Sequence, residues 1–171
     1  MVTVAVHWLS AALVSGQFGL GLYMLSLDYY DPNYHALPHY HKSIGILFGL
    51  LLLFRLAWTA VGPRPGPAPG VAAWEHRAAG LAQRLLLLGL AAVVVSGYLI
   101  STAKGDPVRV FDWFEVPALG AGIKRQEDLA HTLHWWFALG VILLASVHAL
   151  AALKHHFINR DATLKRMFGK G

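Results

Sequence analysis

The chain contains no cysteine and carries few charges, since only 13% of its 171 residues are Asp, Glu, Lys or Arg. Without cysteine it can form no disulfide framework, no iron–sulfur cluster, no thiolate zinc site and no covalent C-x-x-C-H haem attachment. Soluble domains carry about 25% charged residues, so a solvated surface around one core is not expected. The 56% hydrophobic content and the long windows almost free of charge indicate membrane-spanning helices instead.

Four apolar segments are long enough to cross a bilayer, which needs roughly 20 residues per helix. They cover residues 2–27, 42–61, 81–101 and 129–153. The second connection, residues 62–70, is a proline-rich run that no helix survives. The third runs from 102 to about 130, and we expect it to include a short amphipathic segment on the membrane surface. The sequence therefore predicts an all-α, integral-membrane four-helix bundle formed by a single domain, residues 1–171.

A cleaved signal peptide is the alternative interpretation of the first segment, but that segment lacks a cationic start and is too long. With four spans, both termini and the proline-rich loop lie on one side of the membrane, here called side A; the opposite side is side B. Side A carries cations in excess of its acids. The cations are Arg64, Arg77, Lys154, Arg160, Lys165, Arg166 and Lys170, and the acids are Glu75 and Asp161. The positive-inside rule makes side A cytoplasmic, so the net charge of +5 reflects loops beside a bilayer rather than a nucleic-acid-binding surface.

Four of the ten histidines lie inside or at the edge of these spans, where ionisable side chains are functional candidates. His134 and His148 are 14 residues apart, which places them on one helix face about 21 Å apart along the axis. The topology puts His7 level with His148 near side A, and His41 level with His134 near side B. Two level imidazole pairs, His7/His148 and His41/His134, predict the axial ligands of two haems b held between the helices.

Other interpretations of these histidines stay open. A single intramembrane histidine more often forms a hydrogen bond to a neighbouring helix. A copper or zinc site is the main rival to haem, although pairs of histidines without carboxylate or thiolate suit zinc poorly. His39 could replace His41 as a ligand. Arg55, 14 residues after His41, could pair with a haem propionate or with a lipid phosphate.

Several motifs along the chain resemble those of a known family. They are Val6-His7-Trp8-Leu9, His41-Lys42-Ser43-Ile44-Gly45 with Arg55, Ser96-Gly97-Tyr98, the two histidines His134 and His148, and the tail over residues 154–167. Together they resemble the bacterial cytochrome b561 family over nearly the whole chain. The resemblance implies a multi-pass inner-membrane protein with two haems b, whose family ligands match His7, His41, His134 and His148. It also implies electron exchange with the quinone pool, and some members are similar to superoxide:ubiquinone oxidoreductases. Where the family often has H-x-x-H, this chain has Gly80 and Gln83.

The function expected on these grounds is a di-haem electron carrier that oxidises superoxide at the periplasmic side and reduces ubiquinone. The first alternative is a cytochrome b anchor subunit of a hydrogenase- or dehydrogenase-type complex, and the second is a non-enzymatic four-helix channel or transporter. The sequence identifies no protein partner.

Two further sets of residues are candidates for substrate binding. His155 lies seven residues after His148 on the same helix face, so it could donate a hydrogen bond and a proton to quinone, with Ser10 as a second donor at that depth. Lys42, Lys104 and Arg109 of side B could attract an anionic substrate, or they could be ordinary charges that face the lipid headgroups.

Overall fold

The computed structural model describes residues 2–62, 70–120 and 122–169. Four long helices dominate these ranges: α1 (Val2–Met24), α2 (Ala36–Val61), α3 (Ala73–Ser101) and α4 (Gln126–Lys154). Each is long and apolar enough to cross a membrane, by length and composition. The predicted four-helix membrane architecture is confirmed. Most of the predicted proline-rich connection, including Arg64, and also Lys170 lie outside the described residues.

Three of the helices extend beyond the spans predicted from hydropathy, whereas α1 ends at Met24, before the predicted end of the first span at residue 27. Helix α2 begins at Ala36, α3 at Ala73 and α4 at Gln126, each several residues before the apolar segment it contains. Hydropathy detects only the part of a helix that lies in hydrocarbon, whereas the 29 residues of α3 measure about 43 Å. The bilayer core is about 30 Å thick, so the extra turns reach the headgroup region. Pro38 fits in the first turn of α2 because no intrahelical acceptor exists there.

Contacts between helix ends establish an up-and-down arrangement. Trp58 Nε1 donates to Thr3 Oγ1 at 3.1 Å, which joins the end of α2 to the start of α1. Lys154 Nζ lies 2.5 Å from Glu75 Oε1, which joins the end of α4 to the start of α3. Consequently the starts of α1 and α3 and the ends of α2 and α4 all lie at side A.

A small apolar cluster occupies the middle of the bundle. It consists of Phe48, Leu52, Leu90 and Val141. Glycines allow α3 to approach its neighbours closely: a Cβ on Gly49 would lie 2.9 Å from Val94, and one on Gly89 would lie 2.8 Å from Val141. By contrast, α4 approaches α1 and α2 only sparsely. The intramembrane histidines face each other across this wider gap.

The third connection contains a β-hairpin where the sequence predicts an amphipathic segment. Strands β1 (Val108–Val110) and β2 (Phe114–Val116) pair antiparallel. The hairpin packs on the start of α2, where the buried hydroxyl of Ser43 accepts the Phe111 N–H at 2.9 Å. Strands of three residues are too short for alternation to be visible in a hydropathy profile.

After α4, the chain continues through a π-helical turn, His155–Asn159, to the one-turn helix α5, Thr163–Arg166. These residues lie at the side A end of the bundle, close to the start of α1.

Candidate functional site

The four intramembrane histidines form two pairs in the structure. The ring centres of His41 and His134 are 6.2 Å apart with planes inclined by 78°. Those of His7 and His148 are 6.4 Å apart with planes inclined by 60°. All four side chains are half-buried. The structure therefore brings together the same two pairs that the sequence predicts from the depth of each histidine in the membrane.

The ring separation in both pairs is what one metal ion between two imidazoles requires. An imidazole nitrogen binds a first-row metal at about 2.0–2.1 Å and the ring centre lies about 1.1 Å behind it, so rings on opposite sides of one iron have centres about 6.3 Å apart. A direct hydrogen bond, with about 2.9 Å between nitrogens, would bring the centres about 1 Å closer. The described part of the chain holds no cluster of three or more His, Cys, Asp or Glu side chains that could bind a metal. Both pairs thus fit an iron whose other ligands come from a porphyrin better than a protein-only zinc site.

Helix α3 fixes the orientation of the His134 ring. Its Nδ1 lies 2.9 Å from the Val93 carbonyl oxygen. Because a carbonyl only accepts, Nδ1 carries the proton and Nε2 is left with the lone pair that a metal needs. A Cβ on Gly97 would lie 3.0 Å from His134 Cε1, and the Ser96 hydroxyl lies 3.3 Å from Nδ1. Residues 93, 96 and 97 therefore form a cradle for one imidazole.

His41 is held against α1 through its backbone and its ring. Gln17 Nε2 donates to the His41 carbonyl at 2.8 Å, and a Cβ on Gly21 would lie 3.7 Å from His41 Cε1. The Nδ1 of His41 is buried and has no hydrogen-bond partner in the described ranges. A buried polar atom without a partner costs free energy, so the His41 ring lacks the stabilising hydrogen bond that the Val93 carbonyl gives to His134.

The alternative ligand His39 points to a different part of side B. Its ring packs edge-on against Phe111 of the hairpin, with centres 6.3 Å apart. His41 instead faces His134. The geometry therefore favours His41 over His39 as the partner of His134.

Arg55 belongs to the side A pair. It lies close enough to His7 and His148 to act electrostatically on both rings. Its side chain is half-buried, and it forms no ion pair with an acidic side chain within the described residues. A half-buried guanidinium without an acid beside it favours an anionic ligand group at this level.

His155 forms a hydrogen bond to a carboxylate that the sequence did not predict. Its Nδ1 lies 2.6 Å from Asp161 Oδ2, while Asp161 Oδ1 accepts the Thr163 N–H at 2.8 Å. Burial raises the pKa of Asp161, but hydrogen bonds from Thr163 and His155 outweigh that effect and lower the pKa to about 2. The carboxylate is therefore ionised at neutral pH. Arg160, whose φ of 56° is left-handed, reverses the chain between the two residues, and a reversal of this kind leaves no periodic signal.

Ser10, the second residue expected to contact quinone, is buried and already donates its hydroxyl proton. It donates to the Val6 carbonyl of its own helix at 2.7 Å. To donate to another group, the hydroxyl would first have to release that carbonyl.

The three side B cations differ in their partners. Lys104 lies 3.5 Å from Glu127, and Arg109 lies 3.0 Å from Glu115. Lys42 forms no ion pair in the described part of the chain. It borders an open cavity of about 400 Å³, lined by Met24, Leu27, Tyr34, His35, Pro38 and Lys42. Lys42 is therefore the least neutralised of the three.

The chain matches a known family over almost its entire length. The family model described as prokaryotic cytochrome b561 matches residues 1–170. The chain belongs to the prokaryotic cytochrome b561 family. It is 49% identical over 170 residues to cytochrome b561 homolog 2 of Escherichia coli (strain K12), covering 99% of this chain and 90% of that relative. It is 27% identical over 135 residues to cytochrome b561 homolog 1 of the same organism, covering 79% of this chain and 76% of that relative.

The resemblance predicted from the motifs is thus confirmed, and this cytochrome b561 family member is a membrane electron-transfer protein. The family implies haem b as its cofactor. An electron-transfer role decides against the channel or transporter interpretation.

Proposed function

We propose that this protein is a superoxide:ubiquinone oxidoreductase of the bacterial inner membrane that binds two haems b, with both termini in the cytoplasm. The axial ligands are His7 with His148, and His41 with His134. The observation that carries the proposal is the geometry of these pairs, with ring centres 6.4 and 6.2 Å apart. Because they lie about 21 Å apart along α4, they give one redox site near each membrane surface.

Bound haem b supplies the one-electron chemistry of its iron. The chain supplies orientation, charge and exclusion of water. The Val93 carbonyl keeps the lone pair of His134 on Nε2. Arg55 offers a cation to a haem propionate beside the side A pair. Phe48 and Leu90 fill the bundle with apolar side chains.

The substrates are assigned to opposite sides. Superoxide is oxidised to oxygen at side B, where Lys42 carries an exposed charge and forms no ion pair with an acid of the described ranges. Quinone is reduced at side A, where His155 offers a hydrogen bond and a proton, and Ser10 could become a second donor on releasing Val6. Two superoxide anions give two electrons to one quinone, which takes up two protons to form quinol.

Turnover by the purified protein tests this proposal. With superoxide generated enzymatically and a short-chain ubiquinone, we expect one quinol per two superoxide anions without any added protein. An anchor subunit would require its partner complex for turnover. Quinone that remains oxidised despite normal haem content would refute the superoxide activity, while the family assignment would stand.

The variant His155→Ala tests the quinone site separately. Both haems should remain, with normal spectra and normal reduction by superoxide, while their reoxidation by quinone slows at least about tenfold. His156→Ala is the matched control, because the neighbouring ring packs on Phe157 and forms no hydrogen bond to Asp161 within the described residues. Unchanged reoxidation in His155→Ala would move the quinone site elsewhere.

A further inference from the structure

The segment after α4 folds back over the side A end of the bundle. The π-helical turn ends at Arg160, where the left-handed backbone reverses the chain. Farther along, Trp8 Nε1 donates to the Met167 carbonyl at 2.7 Å, and the Trp8 ring stacks on Phe168 at 5.2 Å. Residues 155–169, here called the C-terminal cap, are thereby tied to the helix that carries His7.

His155 and Asp161 of the cap form a hydrogen-bonded pair that is mostly buried. Their side chains are only 13% and 7% exposed, whereas the pairs Lys104–Glu127, Arg109–Glu115, Arg125–Asp128 and Lys154–Glu75 each include a side chain that is at least 44% exposed. Asn159 Nδ2 lies 3.3 Å from His155 Nδ1, and Glu75 lies within electrostatic range of His155. Glu75 is itself paired with Lys154, so Asp161 is the anion in direct contact with the imidazole.

The two oxygens of Asp161 serve two different donors. Oδ1 accepts the Thr163 N–H, and Oδ2 accepts the Nδ1–H of His155. An ionised carboxylate only accepts, so Nδ1 must carry the proton. This fixes the neutral tautomer of His155 and leaves Nε2 as the nitrogen that exchanges protons, as an orienting carboxylate does for a general acid or base.

We propose that Asp161 is the positioning residue for proton delivery to quinone, because it holds Nδ1–H of His155 so that the imidazolium gives up its Nε2 proton. The inference rests on the proposed quinone site at His155. When the quinone has received electrons, the Nε2–H bond breaks and an O–H bond forms on the quinone oxygen. Neutral His155, still bound to Asp161 through Nδ1–H, regains a proton at Nε2 from water on side A. The second proton follows by the same cycle.

An asparagine at position 161 would remove this function while keeping the shape of the side chain. Its single amide oxygen cannot accept from both Thr163 and His155. If the amide oxygen stays with Thr163, the amide NH₂ group faces His155 Nδ1. Nδ1 must then accept with its lone pair, so the neutral imidazole carries its single proton on Nε2. That tautomer still donates a hydrogen bond to a quinone carbonyl, but loss of its proton would leave an unfavourable imidazolate. Quinone binding is therefore retained while proton transfer is lost.

The test compares Asp161→Asn with Asp161→Glu in the full-length haem-loaded protein. For Asp161→Asn we expect the KM for ubiquinone to change less than about twofold and kcat to fall at least about tenfold. Haem content and haem reduction by superoxide should match the wild type. Asp161→Glu should recover most of kcat because it restores an anionic acceptor.

The results for Asp161 and His155 variants distinguish a failure of the positioning role from a failure of the quinone site. Unchanged kcat in Asp161→Asn, with slow quinone reduction in His155→Ala, would overturn the role of Asp161 and leave the quinone site in place. Unchanged quinone reduction in both variants would overturn the site and the positioning role together. Equal losses in Asp161→Asn and Asp161→Glu, or a loss confined to KM, would show a purely structural role and would also overturn the inference.

Discussion

The two histidine pairs are held in different ways. At side B, α3 surrounds the His134 ring with the Val93 carbonyl, the Ser96 hydroxyl and the close backbone of Gly97. At side A, neither His7 nor His148 forms a ring hydrogen bond within the described residues; Arg55 acts electrostatically on both rings, and the C-terminal cap docks on Trp8 beside His7. The side B pair thus contains one ring, that of His134, whose orientation and tautomer the protein fixes, whereas neither ring of the side A pair is fixed by a hydrogen bond within the described residues.

This difference agrees with the proposed chemistry at each surface. Oxidation of superoxide moves one electron and needs no proton, so a fixed ligand with a defined tautomer suits it. Quinone reduction needs protons as well as electrons, and the buried ionisable pair His155–Asp161 lies at side A. The side whose histidine rings are less constrained is therefore also the side that carries the buried pair His155–Asp161.

The largest expected effect tests whether the pairs are separate sites. His148→Ala should remove the side A haem and His134→Ala the side B haem, each leaving about half the haem, because the two sites are about 21 Å apart. The haem-to-protein ratio measures this directly.

Double variants check the pairing itself. His41→Ala with His134→Ala removes two ligands of one pair, so about half the haem should remain. His41→Ala with His148→Ala removes one ligand from each pair, and no complete site should survive. One intact six-coordinate haem in this second double variant would contradict the pairing.

The depth of each of the four histidines in the membrane could be predicted from the sequence. This depth depends only on the residue's position along its helix and on the alternating direction of the helices. Residue number fixes the depth of His7 or His148 once the spans are known. The rotation of each helix about its axis and the closeness of its neighbours are set by packing, so the Val93 carbonyl and the Gly97 contact could not be predicted, although Ser96-Gly97 stood out as a motif.

Short elements and chain reversals were the parts that the sequence did not predict. The hairpin depends on Ser43 and Val110, which are distant in sequence and meet only after the helices assemble. The contact between His155 and Asp161 depends on the left-handed backbone of Arg160, a conformation that arginine rarely adopts. Hydropathy and helical periodicity contain no information about either feature.

A smaller effect is expected from disturbing the cradle of His134. In Gly97→Ala, the new Cβ would lie 3.0 Å from Cε1 and 3.2 Å from Nδ1, so the ring must shift by a few tenths of an ångström. The shift weakens the hydrogen bond to Val93, which makes the imidazole a less basic ligand and stabilises the ferric state less. We expect the side B haem potential to rise by on the order of 59 mV, a tenfold change for a one-electron couple.

The control for Gly97→Ala is Gly16→Ala, because a Cβ on Gly16 meets nothing within 4 Å. In a spectroscopic redox titration, Gly97→Ala should change the potential of one haem and Gly16→Ala that of neither. Equal shifts of both haems in Gly97→Ala would indicate a general loosening of the bundle and would contradict a local effect on His134.

The smallest expected effect concerns the charges at the side B surface. The sequence predicts the same role for Lys42 and Lys104, but the structure gives them different ion-pair partners. Glu127 already offsets Lys104, whereas Lys42 has no ion pair in the described ranges. We therefore expect Lys42→Gln to lower the second-order rate of haem reduction by superoxide about two- to threefold at low salt, and Lys104→Gln to change it less. Screening should remove the difference as ionic strength rises from about 10 mM to about 300 mM, because the Debye length falls over that range from about 30 Å to below 10 Å.

The control is the rate of haem reduction by a neutral reductant, since electrostatic steering acts only on a charged substrate. A superoxide rate that ignores both ionic strength and the charge at position 42 would show that side B attracts no anion, and would leave the His41/His134 pair as a redox site reached by simple diffusion.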